Sequence, residues 1–129
     1  GTVKNLVICI KNRLLAESIE IAFLKQAYRV ERVGSFELQK ILSACEAVKA
    51  DVLLMDVSRT YGNTLEMKLD TVKQIKAEFP DLKVAVICDT TSDEAIADKV
   101  KTAKQAGQID GFYFESVTAD YLVASIDSL

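Results

Sequence analysis

Histidine is missing from this 129-residue chain, and proline occurs once. Without imidazole there is no histidine general base and no His/Cys zinc site. Cysteine is scarce and odd in number. Cys9, Cys45 and Cys88 are scattered through apolar stretches, which fits buried, reduced thiols of a cytoplasmic protein better than a disulfide framework. Positive charge is short as well: 16 Lys and Arg face 19 Asp and Glu, a net −3. Such a surface lacks the basic patch that direct nucleic-acid binding by this segment would need. No apolar run approaches the ~18 residues of a membrane span, and no signal-peptide pattern opens the chain, so no membrane partner is expected.

What is present reads as an ordinary globule. Half the residues are hydrophobic and 27% are charged, and the length suits one domain over residues 1–129. Strand and helix patterns alternate five times. Residues 5–10 (NLVICI), 52–55 (VLLM) and 84–88 (VAVIC) are unbroken apolar runs, the mark of strands buried on both faces. Residues 29–33 (RVERV) are charged enough for an edge strand, and 112–114 (FYF) form the fifth. Between them lie helical stripes: Leu15, Ile19 and Phe23; then Leu38, Ile41, Leu42, Cys45 and Val48, with Ser35 placed to cap them; then Leu65, Leu69, Val72, Ile75 and Phe79, closed by Pro80. Thr91 to Glu94 reads as a capping box for a helix that Gly107 ends, and Thr118 caps a last stripe of Leu122, Ile126 and Leu129.

Alternating βα units predict a doubly wound parallel sheet in three α/β/α layers. The apolar rank of the strands fits the flavodoxin-like order 2-1-3-4-5. In that order Cys9 and Cys88 are two strands apart, about 9.5 Å at ~4.8 Å per step, too far for a disulfide. Ligands of such sheets bind beyond the carboxyl ends of the strands. The residues standing there are Lys11 and Asn12, Asp56, Cys88 with Asp89, and Glu115. Asp56 is the informative one, because a carboxylate closing a buried strand is desolvated unless paired. Asp89 reads as a solvated loop acid, with a substitute metal site from Asp56, Asp89 and Glu115 as the sharper alternative. Cys88 reads as a small core-edge thiol.

Three stretches carry a resemblance: DVLLMDVS around Asp56, KVAVICD for the fourth strand, and AGQIDGFYFESVTADYLVASI near the end. From Val3 to Leu129 the chain resembles a receiver domain of two-component response regulators (CheY-like), most of all the NarL/FixJ, LuxR-type branch. The resemblance implies a cytoplasmic, non-enzymatic signalling module. In it a histidine kinase phosphorylates the position of Asp56 with Mg²⁺ bound, and an attached effector responds. A chain that starts with Gly1 and ends inside a helical stripe at Leu129 is expected to be a piece of a longer protein. The missing part would be a C-terminal DNA-binding effector. Phe112 stands at the switch-aromatic position, with Cys88 where its hydroxyl partner would be. Lys99, Lys101 and Lys104 on the fourth helix, with Asp120 and Asp127 on the fifth, would pair across a homodimer.

The pocket departs from that pattern at each point. The acidic pair falls on Ile10-Lys11 or Lys11-Asn12, the hydroxyl on Cys88 and the lysine on Glu115, and SRTYGN at 58–63 replaces Met-Pro-x-x-Asp-Gly. Asp56 alone makes a weak Mg²⁺ site. Glu115 near an incoming phosphoryl group costs about 4 kcal/mol per like-charge pair at ~4 Å and a dielectric of ~20. The expectation is therefore a pseudo-receiver, with Lys11 pairing Asp56 or Glu115 in place of the metal and conventional phosphorylation of Asp56 as the alternative. A flavodoxin-like nucleotide-binding or small enzyme domain is the remote one, since KNRLL after the first strand holds no glycine for a phosphate loop.

Overall fold

The computed structural model describes residues 4–58, 62–88 and 94–129, with backbone alone at 94 and 95. Five strands alternate with five helices: β1 Lys4–Cys9, α1 Arg13–Leu24, β2 Tyr28–Arg32, α2 Leu38–Val48, β3 Val52–Val57, α3 Leu65–Glu78, β4 Lys83–Cys88, α4 Glu94–Gln105, β5 Gly111–Phe114 and α5 Ala119–Asp127. The sheet order is β2-β1-β3-β4-β5, and every pairing is parallel. This is the flavodoxin-like arrangement expected from the apolar runs.

Period-2 alternation sorts the apolar side chains onto the two faces. Val7, Leu53, Met55, Val84 and Val86 pack with Ile41 of α2, Val72 and Ile75 of α3 and Val100 of α4. Leu6, Ile8, Leu54, Ala85 and Ile87 pack on the other side with Ile19 and Phe23 of α1 and Leu122 and Ile126 of α5. Both faces of β1, β3 and β4 are thus dry, which is why those strands read as unbroken hydrophobic runs. Each fully buried aliphatic side chain adds about 1.5–3 kcal/mol. At the edge, β2 carries charge: Arg29, Glu31 and Arg32 are exposed, which discourages pairing with another strand.

Caps set the helix boundaries. Thr64 and Thr118 accept the N–H groups of Met67 and Tyr121, and Gly107 leaves α4 at φ +74, a left-handed turn that glycine takes without strain. Ser35 is not the cap of α2. Glu37 holds that position without a side-chain bond, and Ser35 Oγ instead accepts the Glu37 N–H at 3.2 Å, two residues too early. β3 also outlasts its apolar run, because Asp56 and Val57 remain on the ladder opposite Ile87 and Cys88. The capping box at residues 91–94 falls largely outside the described residues.

All three cysteines are buried and none is in a disulfide. β3 does lie between the strands of Cys9 and Cys88. Among the described residues, no helix is long and apolar enough to cross a membrane.

Candidate functional site

The carboxyl ends of β1, β3, β4 and β5 open onto a cleft of about 390 Å³. Lys11, Asn12, Asp56, Ser58, Asn63, Ile87 and Glu115 line it. The topology brings together residues far apart in sequence, as expected at the switch point between β1 and β3.

Among the described residues, the Asp56 carboxylate has one hydrogen bond: its Oδ2 accepts the Lys11 backbone N–H at 3.2 Å. Its Oδ1 is buried with no hydrogen-bond partner among them. A carboxylate oxygen in that state is costly by about 1–3 kcal/mol or more, so Asp56 stands out from the acids that merely tie loops. Asn12 spends its side chain on the start of α1, where Oδ1 accepts the Leu15 N–H at 3.1 Å. Asn63, 6% exposed, closes the loop after β3 by accepting the Ser58 N–H at 2.8 Å on its carbonyl. Glu115 is exposed and extends the β4–β5 ladder by donating its N–H to the Cys88 carbonyl.

Lys11 does not form the ion pair expected of it. Its side chain is exposed, and no bridge joins it to Asp56 or Glu115 among the described residues. The residue meets Asp56 through its backbone, while the ammonium stays in water, where an exposed pair is worth at most about 1 kcal/mol. Among the described residues, the buried cation that feels the charge of Asp56 is Lys68, which sequence reasoning passed over. Lys68 lies one turn into α3, is 6% exposed, and places Nζ 5.0 Å from the centroid of the Phe36 ring. Burial holds its pKa below the usual lysine value. The charges of Asp56 and then Cys9 work against that, favouring the ammonium, and Lys11 lowers it further. Burial also pushes the Cys9 thiol up to about 11, with the Lys68 charge opposing and Asp56 reinforcing the rise.

A signal for Lys68 was present. Residues 65, 68, 72 and 75 form one face at 3–4 spacing, and the three others are Leu65, Val72 and Ile75, all buried. A lysine inside an apolar stripe must find either water or a counter-charge. Here the ammonium lies over the Phe36 ring, and the charge of Asp56 favours its protonated form.

Among the described residues, the donor set does not make a Mg²⁺ site. Mg²⁺ wants one or two carboxylates and waters around it. Of the described cleft residues, Asp56 offers one oxygen with an open lone pair, the other acid is the exposed Glu115, and the charge of Lys68 acts on Asp56. No group of three or more His, Cys, Asp or Glu is placed to hold a metal among the described residues. Asp89 lies outside those residues, and with it the three-acid alternative.

Cys88 is fully buried and faces Phe114 across the β4–β5 ladder, whereas Phe112 faces Val86. Phe112 and Phe114 pack edge to face with centroids 5.4 Å apart. Of the charges expected on a dimer face, Lys99 bridges Glu66 of α3, while Asp127 accepts the Tyr28 hydroxyl at 2.7 Å and meets Lys4 at 3.7 Å. That leaves Lys101, Lys104 and Asp120 without an ion pair among the described residues.

No family model matches the chain, and no curated protein does. Solved structures do match. A response regulator from Thermotoga maritima superposes with a TM-score of 0.75 at 20% identity, covering 98% of this chain and 97% of that one. The N-terminal domain of a response regulator/sensory box/GGDEF three-domain protein from Carboxydothermus hydrogenoformans gives 0.70 at 18% identity, covering 97% and 92%. A DNA-binding response regulator of the LuxR family from Staphylococcus aureus gives 0.72 at 13% identity, covering 98% of each chain. The fold of this chain is therefore that of the CheY-like receiver domains.

Proposed function

We propose that the chain is a receiver-type regulatory domain that passes a signal to an attached output domain without phosphoryl transfer at Asp56. The charge set among the described residues around Asp56 carries this reading: a buried lysine in its field, a second lysine lining the cleft, and one other carboxylate there, exposed. Phosphoryl transfer depends on positioning and on neutralising the charge that gathers on the phosphoryl oxygens. Here the charge of Asp56 already acts on the buried Lys68. The output domain is of the kind carried by the multidomain neighbour, or a DNA-binding module as in the LuxR-family neighbour. The exposed part of α4 with Lys101 and Lys104, beside the Phe112–Phe114 pair, is the surface for a second copy or for that domain.

Beryllofluoride with Mg²⁺ tests this directly. The amide spectrum around Asp56, Cys88 and Phe112 stays unchanged if the reading holds, and a stoichiometric second set of peaks overturns it. One observation favours the conventional alternative, in which a histidine kinase phosphorylates Asp56. The open lone pairs of buried Oδ1 leave a nucleophile unencumbered, and that same spectrum decides between the two.

A further inference from the structure

A second pocket lies beside the first, at the carboxyl ends of β1 and β2 and the start of α1. It measures about 350 Å³, and Lys11, Arg13 and Arg32 contribute its charge, with Gly34 and Phe36 on its walls. We infer that this pocket binds a small phosphorylated molecule of nucleotide size, its anionic head among the three cations and its flat body against Phe36.

Charge is the first argument. Among the described residues, no Asp or Glu lines the pocket, although acids outnumber bases in the chain. Arg32 shares its guanidinium with Glu20 at 3.5 Å in an open, solvated pair. Lys11 and Arg13 make no ion pair among the described residues. The second argument is a broken local rule. The N-terminus of a helix carries partial positive charge and favours acids, yet α1 has no acid in its first turn and begins with Arg13. Lys11 and Arg13 thus put two cations at the positive end of α1, a conflict that an incoming anion relieves.

Gly34 supplies the third. Its backbone is not left-handed, and a Cβ built on it would meet nothing within 4 Å. Neither conformation nor packing requires glycine here. What the missing side chain preserves is open wall where a ligand can approach the backbone. Phe36, 39% exposed, adds an apolar surface that a purely inorganic anion would not need, and the volume falls in the range of small-ligand sites.

The inference stands apart from the state of Asp56, although Lys11 lines both cavities. Its backbone N–H bonds Asp56, so occupancy of the second pocket would register in the first. The test is a titration of the 129-residue chain with adenosine monophosphate, and separately with pyrophosphate, followed by amide NMR. Adenosine monophosphate is expected to shift the Arg13, Gly34 and Phe36 amides saturably, with half-saturation near or below about 1 mM. Pyrophosphate is expected to shift Arg13 and Gly34 and to spare Phe36. Gly34→Leu fills the wall without disturbing the fold, and Arg13→Glu reverses a charge; each should weaken adenosine monophosphate by about tenfold or more. No saturable shift at these amides with either probe up to about 10 mM, or shifts that survive both variants, overturns the inference.

Discussion

Asp110 and Asp56 are both partly buried carboxylates at strand ends, one at the amino edge of the sheet and the other at its carboxyl edge. Asp110 Oδ2 accepts both the Lys76 ammonium at 2.7 Å and the Val84 N–H at 2.8 Å. Asp51, at the same edge, accepts the Asn5 N–H at 2.8 Å. These acids are spent on joining strands to their neighbours. Among the described residues, the Asp56 carboxylate has one bond of 3.2 Å and a buried oxygen with none. The same side chain is structural where its lone pairs are filled and available for chemistry or binding where they are left open. That asymmetry places the working end of the sheet where doubly wound folds bind their ligands.

The sharpest way to break this contrast is to delete each acid. Asp110→Ala leaves the fully buried Val84 with an unpaired N–H and Lys76 without its partner, so urea melts should show a loss of about 2–3 kcal/mol. The next effect is a pH dependence at Lys68. Its pKa in the folded chain lies below 10.5, chiefly through burial, so between that lowered value and 10.5 the unfolded chain binds more protons. Stability must then rise with pH across this window relative to a Lys68→Met variant. The thiols of Cys9 and Cys45, moved by burial from 9.0 to about 11, pull the other way, since folding then favours the protonated thiol. They do so in both proteins and cancel to first order in the difference. A flat difference curve would remove Lys68 from the account.

Smaller effects refine the picture. Asp56→Asn keeps an oxygen to accept the Lys11 N–H and should cost less than about 1 kcal/mol; a loss as large as that of Asp110→Ala would erase the contrast between the two edges. Lys11→Ala should move the urea midpoint least, by under about 0.5 kcal/mol, because only its backbone touches Asp56.

The framework was legible from one rule, that strands covered on both sides lose their alternation. Residues 5–10, 52–55 and 84–88 obey it because α1 and α5 cover one face and α2, α3 and α4 the other. Asp56 was legible for the same reason, being the polar residue that interrupts such a run. The cation beside it was not, because counting apolar residues in α3 steps over Lys68. Only the placing of α3 against the ends of β1 and β3 shows where its head group lies. Lys11 misled in the opposite way. Position in the chain puts a residue at a site without saying whether backbone or side chain will face it, and here hydration kept the ammonium outside. Ser35 failed as a cap by the same kind of offset, two residues from where the helix begins.

The electrostatic coupling between Asp56 and the buried Lys68 underlies the reading of the cleft. Titration of the Lys68 side chain by NMR, in the native chain and in Asp56→Asn, tests it most directly. Removing the carboxylate should lower the Lys68 pKa further, since the Asp56 charge is the largest influence favouring the ammonium. Identical titration curves in the two proteins would contradict that coupling and leave the Lys11 N–H as the partner of Asp56 in the cleft.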